Sequence, residues 1–340
     1  MPDLDADWPD TYAVGVRIAL ADAPAEVLAV VADVLGEPIT DIREVRGGMA
    51  PGAVAVVRGG SGRAVFVKAV GCRTNERNVE LYRLEAGWGA RLPHLPGIVR
   101  PLTTRDLVVD GEDWVVTVFP AVDGVPPRHP WRPDELTRVL DAWAPLGRAF
   151  TPSPYDDVSA DGLVAFFSGW RQIADDPDDP WRPHAETWLE RETAFVDALR
   201  TGTTFAHSDL RADNVLLSTD GSVQFVDWVH AHLAPQWLDP LLIACDVVAS
   251  GADTSDGGQV DVTAVWSHPA FCGADPTLLL SGLAGFAGTM HAFSRKPSPP
   301  GLPTIRAWQV RQSEAVLRYL GRQGWSGLSC VLLPLPGPGW

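Results

Sequence analysis

The stretch from Thr204 to Trp228 limits what this chain can fold into more than any other. Within Thr204-Phe-Ala-His-Ser-Asp-Leu-Arg-Ala-Asp-Asn-Val-Leu-Leu217, the residues His207, Asp209 and Asn214 stand at fixed intervals between apolar runs. Residues 215–217 read as a short strand, Asp220-Gly221 as a hairpin turn and residues 223–226 as the returning strand. That hairpin predicts that Asp227 comes back beside Asn214. Asp and Asn suit turns in any protein. The joint match of four residues, their spacing and the flanking strands sets this stretch apart from an ordinary polar loop.

Phosphoryl transfer from a nucleotide calls for few protein groups, because its transition state is loose and catalysis is mostly positioning and charge neutralisation. One carboxylate must orient the attacking hydroxyl, while an amide and a second carboxylate hold magnesium against the phosphates. The pattern H-x-D-x-x-x-x-N, a strand and then D supplies all three. Asp209 takes the first role on this reading, and Asn214 and Asp227 are the metal ligands. Arg211, two residues past Asp209, is close enough on the same loop to face the transferring phosphate. Its alternative is an ordinary surface arginine.

These segments resemble the catalytic and metal-binding segments of the aminoglycoside phosphotransferase family, small-molecule relatives of protein kinases. The family usually reads H-G-D-x-x-x-x-N and then D-W or D-F; here Ser208 stands at the usual Gly and Asp227-Trp228 completes the pattern. The resemblance implies an α+β, two-lobed, protein-kinase-like fold. A small, mainly antiparallel β lobe would bind nucleotide, and a larger, mostly helical lobe would carry catalysis and substrate binding. It also implies ATP or GTP as phosphate donor, with Mg2+ as cofactor.

Upstream, a helix opens at Asp22 and Pro24 and stops at Gly36, and strands follow over residues 39–45, 53–57 and 64–70. The turn Gly47-Gly-Met-Ala-Pro-Gly52 lies between the first two strands; it is not G-x-G-x-x-G, and an ordinary hairpin loop is its alternative reading. In a kinase-like small lobe, Gly47 and Gly48 would let backbone N–H groups approach the nucleotide phosphates. Lys68 sits in Val65-Phe-Val-Lys-Ala-Val70, where an ammonium group is costly unless it meets an anion. A nucleotide phosphate is one such anion, and snorkelling from an edge strand is the alternative. In the helical segment over residues 75–91, the resemblance gives Glu85 the role of pairing with the strand lysine, with Glu80 and Glu76 as alternatives. Residues 114–119 form a further strand, and the Asp123-Gly124 that follows matches the hinge of the family. The expected divisions are a nucleotide-binding lobe over 1–119, a hinge over 120–125, a catalytic and substrate-binding lobe over 126–330 and a tail over 331–340.

Helical patterns cover residues 134–150, 162–173, 183–199, 237–248, 276–293 and 302–320. The charge run at residues 175–179 reads as a solvated loop. Asp239 matches an aspartate of the family but reads equally well as a helix cap. The 27 basic against 43 acidic residues give a formal net charge of -16, which argues against nucleic acid and makes a cationic partner more plausible, the alternative being that the acidity only keeps the protein soluble. The acidic N-terminus lacks the pattern of a secretion signal, and the longest apolar runs fall short of a membrane span, so a cytoplasmic protein is expected. Four scattered cysteines indicate neither a zinc site nor a disulfide framework.

The expected acceptor is a small-molecule hydroxyl compound, first of all an amine-bearing one such as an aminoglycoside or a related amino sugar. Resistance to such an antibiotic is one role this would serve. Similar folds also phosphorylate choline, hexosamines and homoserine. A nucleotide-binding pseudoenzyme is the reading from a different class, and the intact set Lys68, Asp209, Asn214 and Asp227 argues against it.

Overall fold

The computed structural model describes residues 12–45 and 48–324. In chain order it holds α1 (Ala25–Leu35), β1 (Ile39–Glu44), β2 (Ala53–Gly59), β3 (Ala64–Gly71), α2 (Cys72–Arg91), β4 (Thr103–Val109), β5 (Glu112–Pro120) and β6 (Gly124–Val125). Then come α3 (Pro133–Ala149), α4 (Asp161–Phe166), α5 (Gly169–Asp175), α6 (Arg182–Arg200), β7 (Thr204–Ala206), β8 (Val215–Ser218), β9 (Val223–Phe225) and β10 (His232–Ala234). Last are α7 (Leu238–Ala249), α8 (Val262–Val265), α9 (Pro276–Ser294) and α10 (Ile305–Arg322). Two compact units result. The first runs to Pro127 and takes in Ala212–His230 and Ser298–Ile305, and the second takes the rest.

The first unit is built on an antiparallel five-stranded sheet in the order β1-β2-β3-β5-β4. Side chains alternate between the faces of a strand, and β3 obeys this. Val65, Val67 and Ala69 join a core with Val27, Val31 and Leu35 of α1, while Val70 packs with Val79 and Tyr82 of α2. Lys68 has the parity of Val70 and so belongs to the α2 face. With β2 on one side and β5 on the other, β3 is an interior strand. The edge-strand alternative for Lys68 is therefore removed. Strand β4 is absent from the sequence reading, although Asp110-Gly111, with φ of 51° and 72°, gives the tight turn that joins it to β5.

In α2 the helix is interrupted at Asn75, whose φ of -166° is extended. The Asn75 side-chain oxygen accepts from the Asn78 backbone N–H at 2.9 Å and caps the helix that continues. From there Asn78, Val79, Tyr82, Glu85, Ala86 and Gly89 are buried along one stripe, and Glu76 and Glu80 face solvent.

The second unit is mostly helical. The single helix expected over 162–173 is two helices, α4 and α5, for two physical reasons. Glu192 of α6 accepts from the backbone N–H groups of Trp170 and Arg171 at 2.7 and 3.1 Å, which fixes a new helix start there. Gly169 also lies so close to α9 that a Cβ would stand 2.2 Å from the Thr289 nitrogen. The 175–179 run is only partly solvated. Asp179 is buried, accepts from Trp181 N–H at 2.8 Å, and meets His291 and Arg295, each at 3.0 Å. Trp181 stacks on His291 and on Trp170, which also stacks on Trp188. Among the described residues no helix is long and apolar enough to cross a membrane.

Gly169→Ala should lower stability by about 1–3 kcal/mol, because the obstacle is backbone and cannot rotate away. Gly87→Ala on the open face of α2, where a Cβ meets nothing within 4 Å, should be neutral or stabilising by up to about 1 kcal/mol. Denaturant unfolding of the two variants measures the contrast.

Candidate active site

In the first unit, three charged side chains from distant parts of the chain converge. Lys68 Nζ donates to Glu85 Oε1 at 2.7 Å and lies 3.3 Å from Asp227 Oδ2. The lysine and glutamate side chains are 12% and 7% exposed, whereas Asp227 is 32% exposed and open to a further partner. Of the three glutamates weighed from the sequence, Glu85 is the one paired with Lys68. Glu80 pairs instead with Arg77 on the surface, at 2.9 Å.

The electrostatics follow from burial. Burial by itself lowers the affinity of the Lys68 ammonium for its proton, but Asp227 and Glu85 together more than offset this, and the group is raised above its ordinary range. Burial pushes Glu85 up to about 7 against the pull of Lys68, with Asp227 adding repulsion. The proton stays on Lys68, which faces two carboxylates, while Glu85 faces a single ammonium.

The hairpin expected from the sequence is present. Strands β8 and β9 pair with Val215 opposite Phe225, and the Val226 N–H donates to the Asn214 carbonyl at 3.0 Å. Asn214 and Asp227 therefore flank the open end of one hairpin. Asn214 is buried, and Asp227 takes a left-handed φ of 66°, a conformation non-glycine residues rarely adopt. Gly48 is also in this unit with φ of 87°, whereas Gly47 lies outside the described residues.

Asp209 and Arg211 belong to the second unit, on the loop that follows β7. Asp239, at the start of α7, sets this loop. Its two carboxylate oxygens accept from the backbone N–H groups of His207 at 2.9 Å and Ser208 at 2.7 Å. The helix-cap reading of Asp239 is thus replaced by a loop-holding one. Ser208 has φ of 67°, which is the physical reason a glycine would be at ease there. His207 is fully buried, and its Nδ1 accepts from the Asp209 N–H at 3.3 Å.

Asp209 is 29% exposed, and its Oδ2 lies 3.5 Å from Arg211 Nη2. The Arg211 guanidinium also sits 5.6 Å from the centre of the Trp308 ring on α10. Arg211 is therefore a packed residue and not a free surface arginine. The contact with Trp308 spans almost a hundred positions, and no local signal in the sequence points to it.

Chemically, the first unit offers a buried cation beside two oxygen-bearing side chains, and the loop offers an accessible carboxylate beside a guanidinium. Among the described residues no group of three or more His, Cys, Asp or Glu side chains could hold a metal ion. One carboxylate and one amide, as at Asp227 and Asn214, are the donor types magnesium takes when substrate phosphates complete its shell.

Asp239→Asn should cost about 1–3 kcal/mol of stability, since an amide can accept from only one of the two N–H groups and leaves the other unpaired. Burial raises the Asp239 carboxyl from 3.8 to about 7, with Asp209 adding repulsion and the two N–H bonds pulling the other way. The folded state thus holds a proton that the unfolded chain releases, and this group's contribution falls as pH rises from about 4 to about 7. Unfolding measured across that range should show the slope in the parent protein and lack this component in the Asn variant.

A search of curated proteins finds no match. Several solved structures share the protein-kinase-like fold at low identity. Aminoglycoside phosphotransferase APH(4)-Ia is 14% identical with a TM-score of 0.56, the match covering 86% of this chain and 98% of that one. Amicoumacin kinase hAmiN, in complex with AMP-PNP, Ca2+ and Ami, is 12% identical with a TM-score of 0.54, covering 86% and 94%. Choline kinase LicA from Streptococcus pneumoniae is 13% identical with a TM-score of 0.51, covering 87% and 98%. The model of the phosphotransferase enzyme family, APH, matches residues 41–260, a span that holds the Lys68, Glu85 and Asp227 cluster and the loop bearing Asp209, and the chain belongs to that family.

Proposed function

We propose that this phosphotransferase moves the terminal phosphate of ATP, or of GTP, to a hydroxyl group of a small molecule. The observation that carries the reading is the Lys68–Glu85–Asp227 cluster: an ammonium group fixed by a buried carboxylate, beside a partly exposed carboxylate that shares the open end of a hairpin with Asn214. Lys68 would meet the phosphates, with Glu85 holding it in place. Gly48, together with Gly47, would cover them from the turn. Asn214 and Asp227 would hold magnesium, which supplies charge neutralisation between the phosphates when bound.

Asp209 would accept a hydrogen bond from the acceptor hydroxyl and take its proton as the new bond forms. Arg211 would offset the charge on the transferring phosphate. The lobe and hinge boundaries at residues 119 and 125 belong to the same proposal, as does a cytoplasmic setting.

The acceptor proposed first is an amine-bearing compound such as an aminoglycoside or a related amino sugar. Hygromycin B and amicoumacin are named with structures of this fold, and the net charge of -16 suits a cationic ligand. ADP release by the purified protein, screened against aminoglycosides, amino sugars and choline-like compounds, tests the reading. Release dependent on one of these supports it. Tight Mg-ATP binding with no release in the presence of any would favour a binding module.

Asp209→Asn keeps shape and hydrogen bonding but removes the base, so turnover should fall by roughly 10²–10⁴ while Mg-ATP binding hardly changes. Asp227→Ala should lower turnover and magnesium-dependent nucleotide affinity together, with partial recovery at high metal concentration. Kinetics and calorimetry on the pair separate the roles, and normal turnover in Asp227→Ala would overturn the assignment. Lys68→Ala should raise the KM for ATP by roughly 10–100-fold, as expected when a charge-assisted contact of about 1.5–3 kcal/mol is lost.

A further inference from the structure

The segment before α1 carries little pattern in the sequence, yet it lies directly against the turn over residues 48–52. Ile18 N–H donates to the Gly52 carbonyl at 3.3 Å, and Gly52 N–H donates to the Val16 carbonyl at 3.2 Å. Between them Arg17 extends its guanidinium along the turn. Its Nη2 donates to the Gly48 carbonyl at 2.9 Å, and its Nη1 donates to the Ala50 carbonyl. The approach is close, since a Cβ on Gly15 would stand 2.2 Å from the Met49 oxygen.

Further contacts brace this arrangement. Val16 N–H donates to the Gly301 carbonyl at 2.8 Å, and Val14 N–H donates to Thr304 Oγ1 at 3.0 Å. Asn75 and Asn78 of α2 donate through their side chains to the carbonyls of Pro300 at 2.8 Å and Pro51 at 2.7 Å. Arg17 is also in electrostatic reach of Tyr82 and Asp227, and the Tyr82 ring lies 5.9 Å from Lys68 Nζ.

A turn that covers phosphates does so with backbone N–H groups, and it binds best if those groups are already aimed before the ligand arrives. Fixing carbonyls is one way to aim them, because each peptide plane carries its C=O and N–H on opposite sides. We infer that Arg17 is a positioning residue for the nucleotide, holding the 48–52 turn in its phosphate-ready conformation by binding two of its carbonyls. This inference rests on the phosphotransferase reading above. No other role proposed here requires an arginine at this position.

Arg17→Met removes both bonds, and Arg17→Lys keeps the charge but can reach only one carbonyl well. The KM for ATP should rise about tenfold or more in Arg17→Met and less in Arg17→Lys, with kcat at saturating ATP changed less than KM. In nucleotide-free protein, amide hydrogen exchange over residues 48–52 should be faster in Arg17→Met than in the parent, with α3 to α9 unaffected. If Arg17→Met fails to fold, the graded effect in Arg17→Lys still decides the matter.

Parent-like KM and exchange in the folded variants would overturn the inference while leaving phosphotransfer intact, provided Asp227→Ala still lowers magnesium-dependent nucleotide affinity. A uniform loss of folded protein with unchanged KM in the remainder would make Arg17 a purely structural residue. Failure of the parent protein to bind Mg-ATP would overturn both readings at once.

Discussion

The site depends on the burial of one ammonium group. Lys68 sits on β3, which has hydrogen-bonded neighbours on both sides, so its side chain has no edge around which to reach water. Removing one partner from a buried ion pair typically costs about 3–5 kcal/mol, which makes compensation obligatory. Glu85 arrives from the buried stripe of α2, and Asp227 from the hairpin inserted at 212–230. One cation therefore ties together a sheet, a helix and a distant hairpin, and it holds Asp227 at the mouth of the cluster, where a third of its side chain stays open.

A second buried carboxylate governs the loop that carries Asp209. Asp239 is almost fully buried and accepts the two backbone N–H groups that the loop would otherwise leave unpaired. Ser208 and Asp227 are two of the four non-glycine residues with positive φ among the described residues, and both flank a candidate site residue or are one. Strained backbone of this kind persists where the surroundings over-determine it, and it concentrates at working sites. Here the surroundings are visible as the Asp239 bonds on one side and the Lys68 contact on the other.

Much of this was legible in the sequence wherever the information was local. The apolar run around Lys68 marked it as a lysine in need of an anion, the Asp220-Gly221 turn brought Asp227 back to Asn214, and the family resemblance, rather than the pattern of the helix, singled out Glu85 from Glu76 and Glu80. The protein-kinase-like fold was implied by the family resemblance that the His207 to Trp228 segment carries. Long-range contacts were not legible. The break between α4 and α5 comes from Glu192 and from the backbone of α9, neither of which leaves a mark near Gly169. Arg17 looked like any basic residue in a patternless segment, because its partners are backbone carbonyls some thirty positions away. Trp308 against Arg211 is hidden in the same way, as is Asp179 within a run that reads as solvated.

The central claim is that the Lys68, Asn214 and Asp227 groups receive a metal-bound nucleotide. Crystals grown with AMP-PNP and Mn2+ test it most directly, through the anomalous signal of the metal. The account predicts a manganese peak bonded to the Asp227 carboxylate and the Asn214 side-chain oxygen, with phosphate oxygens completing its shell and Lys68 Nζ in contact with the phosphates. Metal bound elsewhere, or a nucleotide whose phosphates do not touch Lys68, would contradict it.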